Sequence, residues 1–285
     1  MFSNTRLAIV VAAAVAALLI VTLLSASALA AIDREVTVEE EAWLADVQAA
    51  IQRNGYGWTA GPTSVSHLSP QAREGLLGGH MSEQEVAYFM NLEPDPAALN
   101  TRFRDAFDWR DYNGVTPADN QLDCGSCWAF GACGSTEAHI LINEGVTLDI
   151  SEQQSIDCNF QGSDCGGGNQ AHAFQLHQDP GAVLETCLPY RAENGTSCRQ
   201  NLCDKVAIID GQATTSYNVS SLKYACETYG PLSVGMCVYD DFYGYSGGCY
   251  EHAGSDPVNH IVLICGWDDS MCGGAGAWLV KNSWG

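Results

Sequence analysis

The chain has 285 residues and a formal net charge of −22, from 34 Asp and Glu against 12 Lys and Arg, with 13 cysteines. So acidic a balance, with only Lys205, Lys223 and Lys281 as lysines, excludes an electrostatic nucleic-acid binder and argues against docking on anionic membrane surfaces. So many cysteines would be a liability in a reducing cytosol and become a framework in an oxidising compartment, so the composition points to a secreted protein.

Residues 7–24 are almost wholly apolar, follow a short N-terminus bearing Arg6, and lead into Ser25-Ala26-Ser27-Ala28-Leu29-Ala30. Ala28-x-Ala30 is a small-residue cleavage pattern, so 1–30 reads as a signal peptide removed before Ala31. The run is also long enough for a retained membrane anchor, the less favoured reading; no twin-Arg pair precedes it, which favours the general secretory route. Residues 31–102 have a different texture. Three acidic residues, Glu39, Glu40 and Glu41, precede apolar residues at helical spacing up to Ile51, which predicts a helix. Asn54, Gly55, Gly57, Gly61 and Pro62 then mark a loop. From Phe103 onward a helix is expected from Ser126 and a second from Ser151-Glu152-Gln153-Gln154. Strands are expected over 232–238, 261–265 and 277–280, from branched apolar residues bounded by Gly and Pro. Asn194-Gly195-Thr196 and Asn218-Val219-Ser220 are sequons that act only in a host able to glycosylate them.

Cys127 lies in Cys124-Gly125-Ser126-Cys127-Trp128-Ala129-Phe130. A thiol at the mouth of a helix faces free N–H groups and the positive end of the dipole, which lower its pKa and favour thiolate. Cys124-x-x-Cys127 taken alone could equally be a disulfide or half a zinc site. His260, at the head of the apolar run Ile261-Val262-Leu263-Ile264, would by itself read as a core histidine. Asn282 stands in Lys281-Asn282-Ser283-Trp284-Gly285 and Gln121 six residues before Cys127. A nucleophilic thiol needs an imidazole to take its proton, a third group to orient that imidazole, and a donor for the oxyanion that develops on the attacked carbonyl.

With these motifs the chain resembles the papain-like cysteine peptidases, whose Cys-Gly-Ser-Cys-Trp run it carries. The resemblance implies an α+β, papain-like two-lobe fold, with a helical left lobe, a β-barrel right lobe and the active-site cleft between them. It implies Cys127 as nucleophile, His260 as base, Asn282 as its orienter, Gln121 as oxyanion donor, and Trp284 as a cover on the His–Asn hydrogen bond. Gly167 and Gly168, in Cys165-Gly166-Gly167-Gly168, would bind an extended peptide main chain. Asn169, Gln170, Gly235, Asn259 and Ile261 would surround the substrate, with Gly235 opening the P2 pocket and Ile261 keeping it apolar. Three disulfides are implied, Cys124–Cys165, Cys158–Cys198 and Cys187–Cys203. The pairing of Cys133, Cys226, Cys237, Cys249, Cys265 and Cys272 stays open. No cofactor or metal is expected.

By the same resemblance, 31–102 is an inhibitory propeptide of the short cathepsin-B-like kind, carried on Asn54 to Gly61 and Leu76-Leu77-Gly78, which fills the cleft of the catalytic domain at 103–285. The alternative is a small accessory domain. The partners expected are polypeptide substrates and this propeptide as intramolecular inhibitor, in a secreted or lysosome-like compartment. No histidine lies between Cys187 and Cys203, where cathepsin B carries its occluding loop, so endopeptidase action is expected over dipeptide clipping. The family continues past Asn-Ser-Trp-Gly with strands that close the barrel, so a C-terminally truncated barrel is expected. The resemblance, more than the charge, implies release of the propeptide in acid as Glu39, Glu40, Glu41, Glu83, Glu85, Glu93 and Asp95 protonate; the alternative is that relief of like-charge repulsion with the acidic catalytic half tightens the complex.

Overall fold

The structure, a computed structural model, describes residues 34–195 and 197–285. The expected signal peptide lies outside the described residues. The first helix, α1 (Val38–Asn54), begins where Thr37 accepts a hydrogen bond from the Glu40 backbone N–H, carries Glu39, Glu40 and Glu41 in its first turn, and stops at Gly55 in the left-handed region. Acidic groups at a helix N-terminus and glycine just past its end are the charges and backbone those ends favour. Its buried face, with Val47 and Ile51, packs on Trp58. Trp58 opens β1 (Trp58–Ala60), which pairs antiparallel with Tyr245–Gly248 of the C-terminal half. Three short helices follow. Ser69 caps α2 (Pro70–Glu74), a reciprocal Ser82–Glu85 capping box starts α3 (Glu83–Asn91), and Asp95 caps α4 (Pro96–Asn100). No residue of α3 is buried.

After β2 (Ala106–Asp108) comes the central helix α5 (Cys127–Glu144), with α6 (Glu152–Cys158) and α7 (Gln170–Leu176) beside it in a helical lobe. Then come α8 (Val219–Tyr229), β3 (Leu232–Met236), β4 (Tyr245–Gly248), β5 (His260–Asp268) and β6 (Ala277–Lys281). The apolar run after His260 is continuous, not alternating, because β5 is buried on both faces from His260 to Trp267. One edge of β5 takes β3, with Met236 opposite His260, and then β2. Leu263 pairs with both Ser233 of β3 and Lys281 of β6, so β6 occupies the other edge. Close contact between lobes is made at Gly131 of α5, where a Cβ would meet Ile261 Cγ2 at 2.7 Å and Ser233 Oγ at 2.8 Å. Among the described residues β2, β3, β5 and β6 form an open sheet in which no strand pairs with the far edge of β6, so the barrel of the expected two-lobe fold is not closed.

Four disulfides are present: Cys124–Cys165, Cys158–Cys198, Cys187–Cys203 and Cys249–Cys272. The last could not be assigned from sequence; it ties the loop after β4 to the turn before β6. Cys127, Cys133, Cys226, Cys237 and Cys265 are free thiols.

Candidate active site

Cys127 is the first residue of α5, after Ser126, whose hydroxyl makes no capping bond to the helix. His260 is the first residue of β5, and Asn282 follows the last residue of β6. The Leu263–Lys281 register brings the two strand ends together. His260 Nε2 lies 2.8 Å from Asn282 Oδ1. An amide oxygen can only accept, so Nε2 carries the proton and Nδ1 is left bare. That Nδ1 is buried and has no partner, the state a base awaiting a proton requires. The Trp284 ring lies over the imidazole at 4.9 Å.

Gln121 is fully buried. Its backbone N–H donates to Ser283 O at 2.8 Å, and Ser283 Oγ donates to Gln121 Oε1 at 2.7 Å, which leaves Nε2 as donor. Nε2 donates to Cys124 O at 2.7 Å and to Leu76 O at 2.8 Å. Ser283 was not among the expected site residues, although its place between Asn282 and Trp284 is the signal that could have found it.

The N-terminal segment runs through this site. Gly79 N donates to Asn259 O at 2.9 Å, His80 N to Gly168 O at 2.9 Å, and Gly168 N to Gly78 O at 2.8 Å. The contact is strand-like pairing of main chain with main chain, and it is made by Gly168; the Gly167 carbonyl and N–H are spent on Asp164. Only glycine fits at this crossing. A Cβ on Gly78 would lie 1.7 Å from Gly125 O, and one on Gly79 would lie 2.7 Å from the His260 backbone. The Asn259 side chain is occupied with both backbone groups of Val238.

Burial by this segment reverses one sequence expectation. Cys127 has no exposed surface, and desolvation pushes its thiol up to about 11, against the downward pull of nearby backbone groups of Ile261, Gly78 and Trp128. Burial likewise pulls His260 down to about 4, partly offset by Asn282. A helix N-terminus contributes about 1 kcal/mol, whereas taking an ion out of water costs several. The covered pair is therefore a neutral thiol and a neutral imidazole, not the expected thiolate and imidazolium.

Next to the crossing is a cavity of about 330 Å³ whose lining includes Asn169, Gln170, Gly235, Val258, Phe174 and Met81. Met81 Sδ approaches so closely that a Cβ on Gly235 would meet it at 2.8 Å. Ile261 is not part of this wall. It is packed in the core with Cys127 and Trp128, because its place on β5 faces α5. Asn169 caps α7 through Oδ1 and donates from Nδ2 to Glu85 Oε1 at 2.7 Å, while Gln170 Oε1 is buried without a partner.

A helix-borne thiol, a strand-borne imidazole held by an amide, and a buried amide donor at the junction of a helical lobe and a sheet define a papain-like fold with a cysteine-protease site. Residues 103–285 match the profile of the papain family cysteine proteases, and the chain belongs to that family. It is 37% identical over 193 residues to a cathepsin L-like proteinase of Fasciola hepatica, covering 66% of this chain and 58% of that protein. It is 37% identical over 225 residues to cathepsin K of Mus musculus, covering 73% of this chain and 68% of the relative. Among solved structures, a recombinant stem bromelain precursor superposes with a TM-score of 0.75 at 29% identity, covering 86% of this chain and 78% of that one. That coverage reaches beyond 103–285 into the N-terminal segment.

Proposed function

We propose that this chain is the latent precursor of a secreted cysteine endopeptidase, with residues 1–30 as signal, 31–102 as inhibitory segment and 103–285 as catalytic domain. The observation that carries this reading is the passage of Gly78–His80 between Gly168 and Asn259, directly over Cys127. The main-chain groups it occupies are those an extended polypeptide substrate would use. Four disulfides favour an oxidising compartment.

Once the segment leaves, water reaches the pair and the thiol proton passes to His260 Nδ1. The Cys127 sulfur attacks the scissile carbonyl carbon, and the carbonyl oxygen takes up the charge between Gln121 Nε2 and the Cys127 backbone N–H. Collapse of this adduct expels the amine, which takes the proton back from Nδ1 and leaves a thioester on Cys127. Water, deprotonated by the same Nδ1, then hydrolyses the thioester and restores the thiol. Asn282 holds the ring in the tautomer that keeps Nδ1 free.

Cys127→Ala and His260→Ala should each reduce peptide hydrolysis by the matured enzyme to background with the fold retained, because the two groups act as one unit. Asn282→Ala should leave measurable activity. An epoxide thiol probe should label Cys127 stoichiometrically after segment removal and poorly before it. Wild-type turnover by Cys127→Ala would overturn the mechanism.

A further inference from the structure

Tyr190 is outside the four groups of the mechanism, yet its hydroxyl lies 2.6 Å from the backbone oxygen of Gln121 and 2.6 Å from Ser126 Oγ. A carbonyl oxygen only accepts, so the phenol donates its single proton there and accepts from the Ser126 hydroxyl. The chain of bonds runs Ser126 O–H to Tyr190 O–H to the Gln121 carbonyl, each bond polarising the next. It joins the residue immediately before Cys127 to the residue bearing the oxyanion donor. This explains why Ser126, at the cap position of α5, makes no side-chain cap to the helix. The phenol ring is braced edge-on by Phe130 at 5.0 Å, and the Tyr190 N–H donates to Glu185 Oε1 at 2.6 Å. Burial raises the phenol's pKa, so it stays a donor throughout the neutral range.

The two donors of the oxyanion site, Gln121 Nε2 and the Cys127 N–H, belong to different segments. Ser283 orients the Gln121 amide from the chain that follows β6. The bond chain through Tyr190 ties the Gln121 backbone to the start of α5, beside the Cys124 carbonyl that accepts from both Gln121 Nε2 at 2.7 Å and the Ser126 N–H at 2.8 Å. We infer that Tyr190 is a positioning residue for catalysis, whose hydroxyl fixes the spacing between the Gln121 side-chain donor and the Cys127 N–H. This rests on the peptidase reading above. The Leu76 carbonyl, 2.8 Å from Gln121 Nε2, shows that this donor can bond a peptide oxygen.

The test uses matured enzyme carrying Tyr190→Phe, which removes only the hydroxyl. We expect kcat to fall about tenfold to a hundredfold, as for a donor displaced by a fraction of an ångström, with KM within about twofold, since the hydroxyl sets a geometry that matters mainly in the transition state. Affinity for a peptide aldehyde, whose adduct places an oxyanion in the site, should fall by the same factor. Alkylation of Cys127 by a small epoxide, which builds no such oxyanion, should slow by less than about threefold, since the thiol itself is untouched. In a Gln121→Ala background, Tyr190→Phe should cost less than about twofold, because residues acting through one group are not additive. Additive losses, or an equal loss in alkylation rate, would overturn the assignment. If Tyr190→Phe fails to fold, Ser126→Ala probes the same chain from its other end and should weaken the aldehyde selectively; unchanged aldehyde affinity would overturn it. An enzyme that depends on Cys127 but is indifferent to Tyr190→Phe refutes this inference alone, whereas Cys127→Ala with full activity refutes the peptidase reading.

Discussion

The N-terminal segment and the helical lobe are both rich in carboxylates, yet their burial gives those groups opposite responses to acid. In the segment, Arg34 and Ser66 hydrogen-bond Glu40 and hold it down to about 2. Glu85 is lowered by the Ser82 backbone, Ser82 Oγ and Asn169. These contacts hold above the ordinary carboxylate range and are lost as pH falls through the groups' own values; Glu40 acts within the segment, whereas Glu85 joins it to Asn169 of the lobe. In the lobe, desolvation raises Glu137 to about 7 and Glu152 well above the usual range, and it also raises Glu185 and Asp149. A raised carboxyl contributes stability that is complete below its unfolded value and is lost as pH rises through the folded one. On these directions acid is expected to weaken the segment's carboxylate contacts while firming the lobe beneath them. In the segment the donors outweigh burial and ionisation holds the structure; at Glu137 and Glu185 burial outweighs the donors Thr116, Ile150 and Tyr190, and protonation does.

The sharpest way to break this comparison is to remove the segment's fit without touching charge. Gly78→Val places side-chain atoms against the Gly125 backbone. The precursor should lose latency at neutral pH, with peptidase activity rising by about a hundredfold, since overpacking against backbone costs about 3 kcal/mol. Latency that survives would mean the crossing is not what blocks Cys127. Next, Glu137→Gln should remove the Glu137 share of the lobe's gain in stability between roughly pH 7 and pH 4.5. That gain is at most about 3 kcal/mol for a shift from 4.5 to about 7, and thermal melts of the matured domain across that interval would report it. A variant whose stability still climbs on acidification would assign the effect to Glu152 or Glu185. The smallest effect is expected for Glu85→Gln, which keeps a carbonyl oxygen for Asn169 but removes the titrating charge. Processing of the precursor, followed by mass, should speed up by about threefold to tenfold at neutral pH, as for a contact of 1 kcal/mol or so, and become less dependent on acid. Processing that is faster at neutral pH than in acid for the unmodified chain would refute acid release altogether.

Much of the local architecture is legible in the residues. The acidic start of α1, its glycine stop, the helix opening at Ser126 and the continuous apolar run of β5 all follow from short-range preferences that packing then reinforces. Site residues are legible as types in order, since Cys127, Gln121, His260 and Asn282 carry groups that acyl transfer needs. Ser283 and Tyr190 are not, because a serine or tyrosine acquires its role only from the atom placed opposite it. Ile261 misleads for a related reason, since alternation along β5 decides which neighbour it faces.

What the sequence by itself determines is the covalent and local part: an acidic, cysteine-rich chain with a nucleophile at a helix start, a base at a strand start, and glycines where backbones must cross. Tertiary structure decides what has no local signal. It pairs Cys249 with Cys272, brings Gly78 across Cys127, and turns a thiol favoured by its helix into one held neutral by burial. Desolvation and hydrogen bonding depend on atoms far away in the chain, and no run of neighbouring residues encodes how much water those atoms exclude.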